Sequence, residues 1–447
     1  MTILRFVYRY TSIMAIWTVC CVCASADFLR FSTFNSSLNQ CDDGTSPCLS
    51  GGLEQVLTDP EFVQSRQVAE IIQRIRSDVI LLNEFNYDAT GNAAKLFVEN
   101  FLSTGQNASR HPDGPAEPIA YPYVYVAPSN TGIHSGFDLD NNGQIVSTPG
   151  TGLYAEDAFG YGEFEGRYGM LFLSKHPIQF DQVRTFQNML WQDMPDSLLP
   201  PTWYSPEEQQ VLRLSSKSHW DLPVQIGEPT VHFLASHPKP PVFDGPEDRN
   251  GRRNHDEIRF WSDYISSGEA DYIVDDAGVA GGLGENDAFV VLGNLNSDPD
   301  RGNSRSGAIK RLLDHPEVNS SLVPQRPNGA THTATFRLRV DYVLPSSNLQ
   351  TEAVGIFWPE TRDPLARLLR ASDHRLVWAD VEIPSVPEPA GLTMAFVGFL
   401  IAIGSARGYD RKRYGKLFSN GKTRQMHYKV ATRRHSFIVL AFQVTFL

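Results

Sequence analysis

Short apolar runs bounded by polar residues recur along this 447-residue chain. Such runs are typical of buried β-strands. They occupy residues 28–34, 79–82, 170–174, 231–235, 289–292, 342–344 and 376–381. Residues 67–76 instead carry apolar side chains at helical spacing. The pattern predicts a globular domain with several buried strands, and a composition of 41% hydrophobic and 20% charged residues agrees with it.

A polar side chain stands at the end or the start of most of these runs. Asn35, Glu84, His237, Asn294 and Asn296 follow a run, and Asp341, Asp373 and His374 precede one. If the strands lie antiparallel in packed sheets, all these groups can meet at one edge, where rigid scaffolds carry functional loops. The alternative for any single residue is ordinary capping of a strand end by Asn or Asp.

The residue types at this predicted edge favour metal-assisted chemistry. Asn35, Glu84 and Asp373 would give a hard, oxygen-rich site suited to Mg²⁺, with Mn²⁺ or Ca²⁺ as alternatives, rather than to zinc. Asp341 would orient the imidazole of His374, a group that moves protons near neutral pH. A metal held in this way binds a phosphate oxygen and stabilises its developing charge.

The remaining strand-end groups would complete such a site. His237 and the amides of Asn294 and Asn296 could hold the phosphoryl group or the attacking water. The chemistry that this set of groups favours is hydrolysis of a phosphoester.

The order of these segments resembles the endonuclease/exonuclease/phosphatase superfamily, which has the deoxyribonuclease-I-like fold. The segments that carry the resemblance are NSSL, LLNEF, RYGMLFLSKHPI, LASHPKPP, VLGNLNSDP, RVDYVLPS and SDHRLVWADV. The resemblance covers residues 27–384, apart from two loop-rich insertions at 100–165 and 186–225. It implies an α+β fold, a four-layered α/β sandwich with two central, mainly antiparallel sheets. It also implies Mg²⁺-dependent attack of water on phosphorus.

The resemblance also implies a role for each matching residue. Glu84 resembles the metal-binding glutamate of the family, Asn35 the asparagine beside it, and Asp373 an acid of the metal site. His374 resembles the histidine that contacts the phosphate or takes part in proton transfer. Asp341 resembles the aspartate that orients this histidine.

One position departs from the family pattern. His237 resembles the second histidine of the deoxyribonuclease-like branch, and Asn296 resembles the asparagine of the family's GDxN segment. That segment is GNLN here, so Asn294 stands where an aspartate that orients or activates the attacking water is expected. An amide keeps the shape and a hydrogen bond but cannot take a proton. A catalytically degenerate binding domain is therefore the alternative to an enzyme.

Three further sequence features have both a functional and a purely structural interpretation. Arg167 could contact a substrate phosphate through its planar guanidinium, with a surface ion pair as the alternative. Asn254, in the charge-dense segment 248–257, could line the mouth of the site or lie in the first turn of a solvated helix. Residues 138–143 have the spacing of the first half of a calcium loop, but Pro149 occupies the twelfth position, which favours an Asx-rich turn.

Both ends of the chain resemble targeting segments. Residues 1–26 have the charged, apolar and small-residue regions of a secretory signal peptide. In an exported chain Cys41 and Cys48 would form a disulfide, with two free buried thiols as the alternative. Residues 385–413 resemble a PEP-CTERM sorting tail, whose hydrophobic segment implies membrane contact and membrane sorting. The basic extension 414–447 is not typical of such tails and is expected to lack regular structure.

The charge distribution bears on the substrate. The formal net charge is −12, the first 26 residues contribute +2 and the residues from 390 onward contribute +9, so the body carries −23. An acidic body lacks the field that favours nucleic acid. We therefore expect an exported, Mg²⁺-dependent phosphoesterase that acts on a small-molecule or lipid phosphoester rather than on DNA, located in the periplasm, at the cell surface or outside the cell. A secreted endonuclease is the alternative with the same chemistry.

Overall fold

The computed structural model of the chain describes residues 27–41, 47–227 and 229–383. The signal segment, the sorting tail and the basic extension lie outside these residues and remain predictions. In the described part, no helix is long and apolar enough to cross a membrane. Cys41 and Cys48 form a disulfide with their Cα atoms 5.0 Å apart, so the structure has the first of the two alternatives for this pair.

Two β-sheets form the centre of the described part of the chain. The strands are β1 (Asp27–Leu38), β2 (Val79–Phe85), β3 (Tyr123–Tyr125), β4 (Met170–Ser174), β5 (Arg184–Thr185), β6 (His219–Gln225), β7 (Thr230–Ser236), β8 (Ala288–Asn294), β9 (Asp341–Pro345), β10 (Gln350–Ile356) and β11 (Val377–Ile383). The six-stranded sheet has the order β10-β11-β1-β2-β4-β3, and the five-stranded sheet has the order β5-β6-β7-β8-β9.

Helices cover the outer faces of both sheets. They are α1 (Gly52–Leu57), α2 (Val63–Ile75), α3 (Asn92–Phe97), α4 (Gly152–Glu156), α5 (Pro206–Gln209), α6 (Arg249–Ile265) and α7 (Lys310–Leu313). A π-helical turn (Val98–Leu102) continues α3, and 3-10 helices occupy Phe180–Gln182, Trp191–Asp193 and Pro364–Arg370. The helices α1 to α3 pack on the six-stranded sheet, and α6 and α7 pack on the five-stranded sheet.

Alternation along the strands produces three apolar layers. In β2, Val79 and Leu81 point between the sheets, while Ile80 and Leu82 point toward the helices. The strands of the other sheet divide their side chains in the same way, because Val290 and Leu292 of β8 lie between the sheets and Val291 packs toward α6. The order helix, sheet, sheet, helix confirms the predicted four-layered α/β sandwich.

The pairing within each sheet is mixed rather than purely antiparallel. Each sheet contains one parallel pair near its centre, β1 with β2 and β7 with β8. The other strand pairs of the two sheets are antiparallel. The prediction of mainly antiparallel sheets is therefore confirmed, and the two parallel pairs are what the strand pattern did not indicate.

The predicted insertion at 186–225 is wrong over its last part. Residues 219–225 form β6, which is buried between β5 and β7. Pro223 caused the error, since a proline lacks the N–H that a central strand uses. In the structure Pro223 lies opposite His232 of β7, and its carbonyl oxygen accepts a hydrogen bond from the backbone N–H of Gln179.

Candidate active site

The predicted polar groups converge at one edge of the sandwich. Strands β1, β2, β7 and β8 end at this edge, and β9 and β11 begin there because they run antiparallel to β8 and β1. Asn83 joins the two sheets at this edge. Its Oδ1 accepts a hydrogen bond from the backbone N–H of Asn294 at 3.0 Å, and its amide donates to the carbonyl oxygen of Ser236 at 3.3 Å. The mixed pairing thus brings together the groups that follow some strands and precede others.

Glu84 forms one corner of the site. It lies near the end of β2 with a left-handed φ of 55°. A non-glycine residue in this conformation costs about 1–3 kcal/mol, so its surroundings must hold it in place. Asn35 Nδ2 donates to Glu84 Oε1 at 2.8 Å, and Asn39 Nδ2 donates to Oε2 at 2.7 Å. Two amides therefore fix the orientation of the carboxylate.

His374 and Asp341 form a buried ion pair. His374 Nδ1 lies 3.0 Å from Oδ2 of Asp341, and Thr333 Oγ1 donates to the same oxygen at 2.6 Å. Burial alone would lower the pKa of His374. The charge and hydrogen bond of Asp341, with the charges of Asp373 and Glu84, outweigh burial and raise this pKa to about 9. His374 is therefore an imidazolium at neutral pH, with Nδ1–H bonded to Asp341 and Nε2–H left as a donor.

Ser372 connects this ion pair to the Glu84 corner. Its Oγ donates to the carbonyl oxygen of Asn35 at 2.7 Å and accepts from the backbone N–H of His374 at 3.0 Å. Asp373 is exposed, and its carboxylate forms no hydrogen bond or ion pair with any described residue. Glu84 and the Asp373–His374 pair thus lie at one site, as predicted from the sequence.

Asn294 orients His237 on the opposite wall. Its Oδ1 accepts the backbone N–H of Asn296 at 3.1 Å, so its NH₂ group faces Nε2 of His237 at 3.4 Å. Nε2 must then accept, which places the proton of the neutral ring on Nδ1. Burial, followed by the charges of Lys217 and His374, lowers the pKa of His237 well below its usual value. The buried Nδ1–H has no hydrogen-bond partner among the described residues.

Comparison with known proteins agrees with this arrangement. The model of the Endonuclease/Exonuclease/phosphatase family matches residues 58–374, more than two thirds of the chain. This chain belongs to the endonuclease/exonuclease/phosphatase family. Its members are hydrolases that act on phosphoester bonds. The resemblance predicted from the strand-end segments is therefore confirmed.

Solved structures of similar fold have low sequence identity to this family member. An endonuclease/exonuclease/phosphatase from Beutenbergia cavernae is 17% identical, with 80% of this chain and 72% of that chain covered and a TM-score of 0.45. Sphingomyelinase C from Streptomyces griseocarneus is 14% identical, with 79% and 99% covered and a TM-score of 0.39. These likenesses concern the fold alone. Comparison with curated proteins gives no match.

A cavity of about 430 Å³ opens at the edge of the sandwich where Glu84 and His237 lie. It is lined by Glu84, Glu156, Tyr161, Tyr168, Lys217, His237, Lys239, Pro240 and Phe243. Tyr161 comes from the first predicted insertion and Lys217 from the second, so both insertions contribute walls to this cavity. Sequence reasoning missed Lys217, Lys239 and Asn83. The signals that could have found two of them are the position of Asn83 directly before Glu84 and of Lys239 two residues after His237.

The two predicted substrate-binding residues lie behind the cavity wall. Arg167 forms a part-buried ion pair with Glu163, and its guanidinium carbon lies 4.6 Å from the ring centroid of Tyr168. Asn254 is fully buried in α6, and its amide donates to the carbonyl oxygens of Lys239 and Leu295 at 2.9 and 3.0 Å. Both predictions for Asn254, a position at the mouth of the site and a position in a solvated helix start, are therefore wrong. It ties down the backbone beneath the cavity.

The side-chain oxygens at this edge are of the kind that a hard divalent ion prefers. Glu84, Asp373 and Oδ1 of Asn35 supply carboxylate and amide oxygens, the donors that Mg²⁺ prefers. The orientation of Glu84 by two amides and the free carboxylate of Asp373 agree with this role. Their assignment as ligands, and the choice of metal, remain predictions.

A second acidic group lies in the first insertion. Asp138, Asp140 and Asp157 have carboxylate oxygens within 4.8 Å of one another, and no other such group of three ligands occurs in the described residues. The oxygens of Asp138 accept the backbone N–H groups of Asn142 and Gly143 at 3.0 and 2.7 Å. This is the Asx-rich turn that the sequence favoured at 138–143.

Proposed function

We propose that this chain is an exported, divalent-metal-dependent phosphoesterase that hydrolyses phosphomonoester or phosphodiester bonds by attack of water on phosphorus. The observation that carries the proposal is that a buried imidazolium, His374, lies at the same edge as the oriented carboxylate of Glu84 and the unpartnered Nδ1–H of His237. Membership of the endonuclease/exonuclease/phosphatase family supports the same chemistry.

His374 supplies the positive charge and the mobile proton. Because its pKa is raised to about 9, Nε2 carries a proton at neutral pH. It donates this proton to a phosphoryl oxygen or to the leaving oxygen as the bond to phosphorus breaks. Asp341 keeps the ring oriented through Nδ1 and stabilises its charge, and Thr333 holds the carboxylate in turn.

His237 positions the phosphoryl group from the other wall. Its neutral ring donates from Nδ1 to a phosphoryl oxygen, and the amide of Asn294 fixes the tautomer that makes this possible. Asn294 cannot take a proton from the attacking water, so that proton passes to bulk solvent, from which His374 regains the proton that it donated. The reaction is therefore expected to be slower than it would be with a carboxylate at this position.

The proposed metal would be held by Glu84, Asp373 and Asn35. When bound, a divalent ion would draw charge from the phosphoryl oxygens and thereby favour attack at phosphorus. Mg²⁺ is the ion we propose, since the ligands are hard oxygens, with Mn²⁺ or Ca²⁺ as substitutes.

We propose a small-molecule or lipid phosphoester as the substrate. The acidic body disfavours a polyanion, and the cavity beside Glu84 suits a compact group better than a duplex. Export follows from the predicted signal segment at 1–26, and membrane contact follows from the predicted tail at 385–413. A secreted endonuclease and a degenerate binding module are the alternatives.

A substrate panel tests these alternatives. The purified protein would be assayed with Mg²⁺, Mn²⁺ or Ca²⁺ against 4-nitrophenyl phosphate, bis(4-nitrophenyl) phosphate, a phospholipid and plasmid DNA. Metal-dependent cleavage of a small ester or the lipid supports the proposal, whereas cleavage of DNA alone favours the endonuclease. Absence of turnover with every metal, together with activity in Asn294→Asp, favours the degenerate module.

A further inference from the structure

Two lysines of the cavity make no direct ion pair with a carboxylate of the described residues. Lys217 is 6% exposed and Lys239 is half-buried, and both side chains line the cavity. Neither ammonium group forms a hydrogen bond or an ion pair with a described residue. Lysines are seldom buried without a partner, so these two positive charges need an explanation.

The acidic residues of the cavity are engaged elsewhere. Both oxygens of Glu84 accept side-chain amides, and the carboxylate is the proposed metal ligand. Glu156 lies 3.7 Å from the guanidinium of Arg249. Buried Arg253 adds a further positive charge, since its guanidinium donates to the carbonyl oxygens of Leu214 and other backbone groups rather than to a carboxylate. The ammonium groups of Lys217 and Lys239 are therefore left without a direct carboxylate contact among the described residues.

The backbone around Lys239 is anchored on both sides. Its N–H donates to Oε2 of Glu257 at 2.6 Å, and its carbonyl oxygen accepts the amide of Asn254 at 2.9 Å. The ring centroid of Tyr161 lies 5.4 Å from Nζ. These contacts come from the helix α6 and from the first insertion, so the position of this lysine is fixed by the fold.

The charges of the two lysines are poorly stabilised in the free protein. Burial, together with repulsion from Arg253, lowers the pKa of Lys217 to about 8, although Glu257 and Glu84 oppose this. Burial lowers the pKa of Lys239 to about 7, and repulsion from Lys217, Arg253 and Arg249 adds to it, although the charge of Glu156 opposes this. A bound anion would stabilise both ammonium groups.

The cavity has room for more than the phosphoryl group under attack. Its volume of about 430 Å³ lies within the range of roughly 300–1,000 Å³ that is usual for small-molecule sites. Besides the neutral ring of His237 and the carboxylate of Glu84, its wall contains the two lysine ammonium groups. A substrate that fills the cavity would present a second polar group to them.

We propose that Lys217 and Lys239 form a second anion-binding subsite, so that the substrate carries a phosphate or carboxylate in addition to the phosphate that is hydrolysed. This inference rests on the proposed function and narrows its substrate class to compact phosphoesters that carry a second anionic group. Two ammonium groups in a site of low polarity bind an anion by charge-assisted hydrogen bonds.

Binding of phosphonates, which are not hydrolysed, tests the subsite without turnover. In buffer with EDTA, calorimetry would compare propylphosphonate, 3-phosphonopropanoate and propane-1,3-bisphosphonate on the full protein. Two of these compounds, 3-phosphonopropanoate and propane-1,3-bisphosphonate, carry a second anionic group. We expect at least one of them to bind roughly 10- to 100-fold more tightly than propylphosphonate, since a charged hydrogen bond contributes about 1.5–3 kcal/mol. The compound with the larger gain distinguishes a carboxylate from a second phosphate.

Matched variants connect the effect to the two lysines. The gain should disappear in Lys217→Met/Lys239→Met, persist in the corresponding Lys→Arg pair, and remain unchanged in Lys95→Met, which removes an exposed lysine in α3. Thermal melts check folding, and the single variants replace the pair if it does not fold. Equal binding of all three compounds by the unaltered protein, or an undiminished gain in the Met variants, would overturn the inference.

Kinetics separate this inference from the proposed function. Phenyl phosphate and 4-carboxyphenyl phosphate differ by one anionic group, and release of phosphate reports turnover of either. If the second subsite takes a carboxylate, KM should favour the carboxylated ester in the unaltered protein and not in the Met variants. If the protein prefers phosphonates with a second anionic group but turns over neither ester, the proposed phosphoesterase activity is refuted and the proposed subsite is supported. Turnover of phenyl phosphate without phosphonate discrimination would refute the subsite alone.

Discussion

Replacement of Asp341 by asparagine tests whether the fold holds His374 in its charged form. Both side chains are buried, and the carboxylate lies 3.0 Å from Nδ1 of the ring. An asparagine keeps the shape, and its Oδ1 can still accept from the ring and from Thr333. It removes the negative charge and little else, so the change isolates the electrostatic part of the interaction.

The magnitude follows from the shift in pKa. The pKa of His374 rises from 6.5 to about 9 on folding. A shift of roughly two and a half units corresponds to about 3 kcal/mol of unfolding free energy. Because the folded pKa is higher than the unfolded one, this stability is fully present below about pH 6.5. It is lost as the pH rises through about 9.

Urea unfolding in EDTA at about pH 6 and about pH 9.5 measures this effect. We expect Asp341→Asn to lose about 3 kcal/mol at the lower pH and much less at the higher pH. Asp380→Asn is the control, because Asp380 forms an ion pair with Arg30 and no histidine is involved. A loss that is equal at both pH values would refute the claim that His374 is the titrating group.

Three further outcomes are expected. His374→Gln should lower kcat about 100-fold or more in a steady-state assay, because it removes the donated proton, and an unchanged kcat would contradict the assignment. Asn294→Asp places a charge 3.4 Å from His237, worth about 5 kcal/mol before the cost of burying the carboxylate, and should raise the pKa of His237. Nitrogen-15 NMR would detect this rise, and a ring that stays neutral at about pH 5 would count against it. Phe233→Ala, between the sheets, should cost about 3–5 kcal/mol in denaturant unfolding, whereas Phe28→Ala, which is 48% exposed, should cost far less, and equal losses would contradict the packing.

The strand pattern predicted the buried strands and the sheet edge at which the site lies, and the resemblance to the family predicted the fold. The bounds of β4 agree with the apolar run at 170–174, and the other six predicted runs fall within strands apart from one terminal residue. Polar residues at strand ends carry this information because a sheet edge brings them together whatever their separation in the chain. The meeting of Glu84 with the His374 pair followed from it, whereas the family came from the order of the sequence motifs and the four layers from the resemblance to that family.

The environment of each side chain could not be predicted in the same way. Asn254 lies in a polar segment, yet it is buried in α6 because backbone carbonyl groups from two loops need its amide. Lys217 precedes a strand that contains Pro223, and this strand looked like a loop. Periodicity reports which residues face an apolar layer. The periodicity of apolar residues does not indicate which loop folds over a cavity, so Lys217 and Lys239 could not be predicted as cavity residues.

The two parallel strand pairs have a consequence for how the chemistry arises. β1 and β2 supply Asn35 and Glu84, whereas β7 and β8 lead to His237 and supply Asn294. Each pair with its crossing helices is a βαβ half-unit, and neither half holds enough groups to act on a phosphoester. The proposed active site therefore lies between the two halves. If the proposed function is correct, separately expressed halves would show turnover only after they reassemble. A substitution that moves the two sheets apart by a fraction of an ångström would lower activity even though every proposed catalytic group is still present.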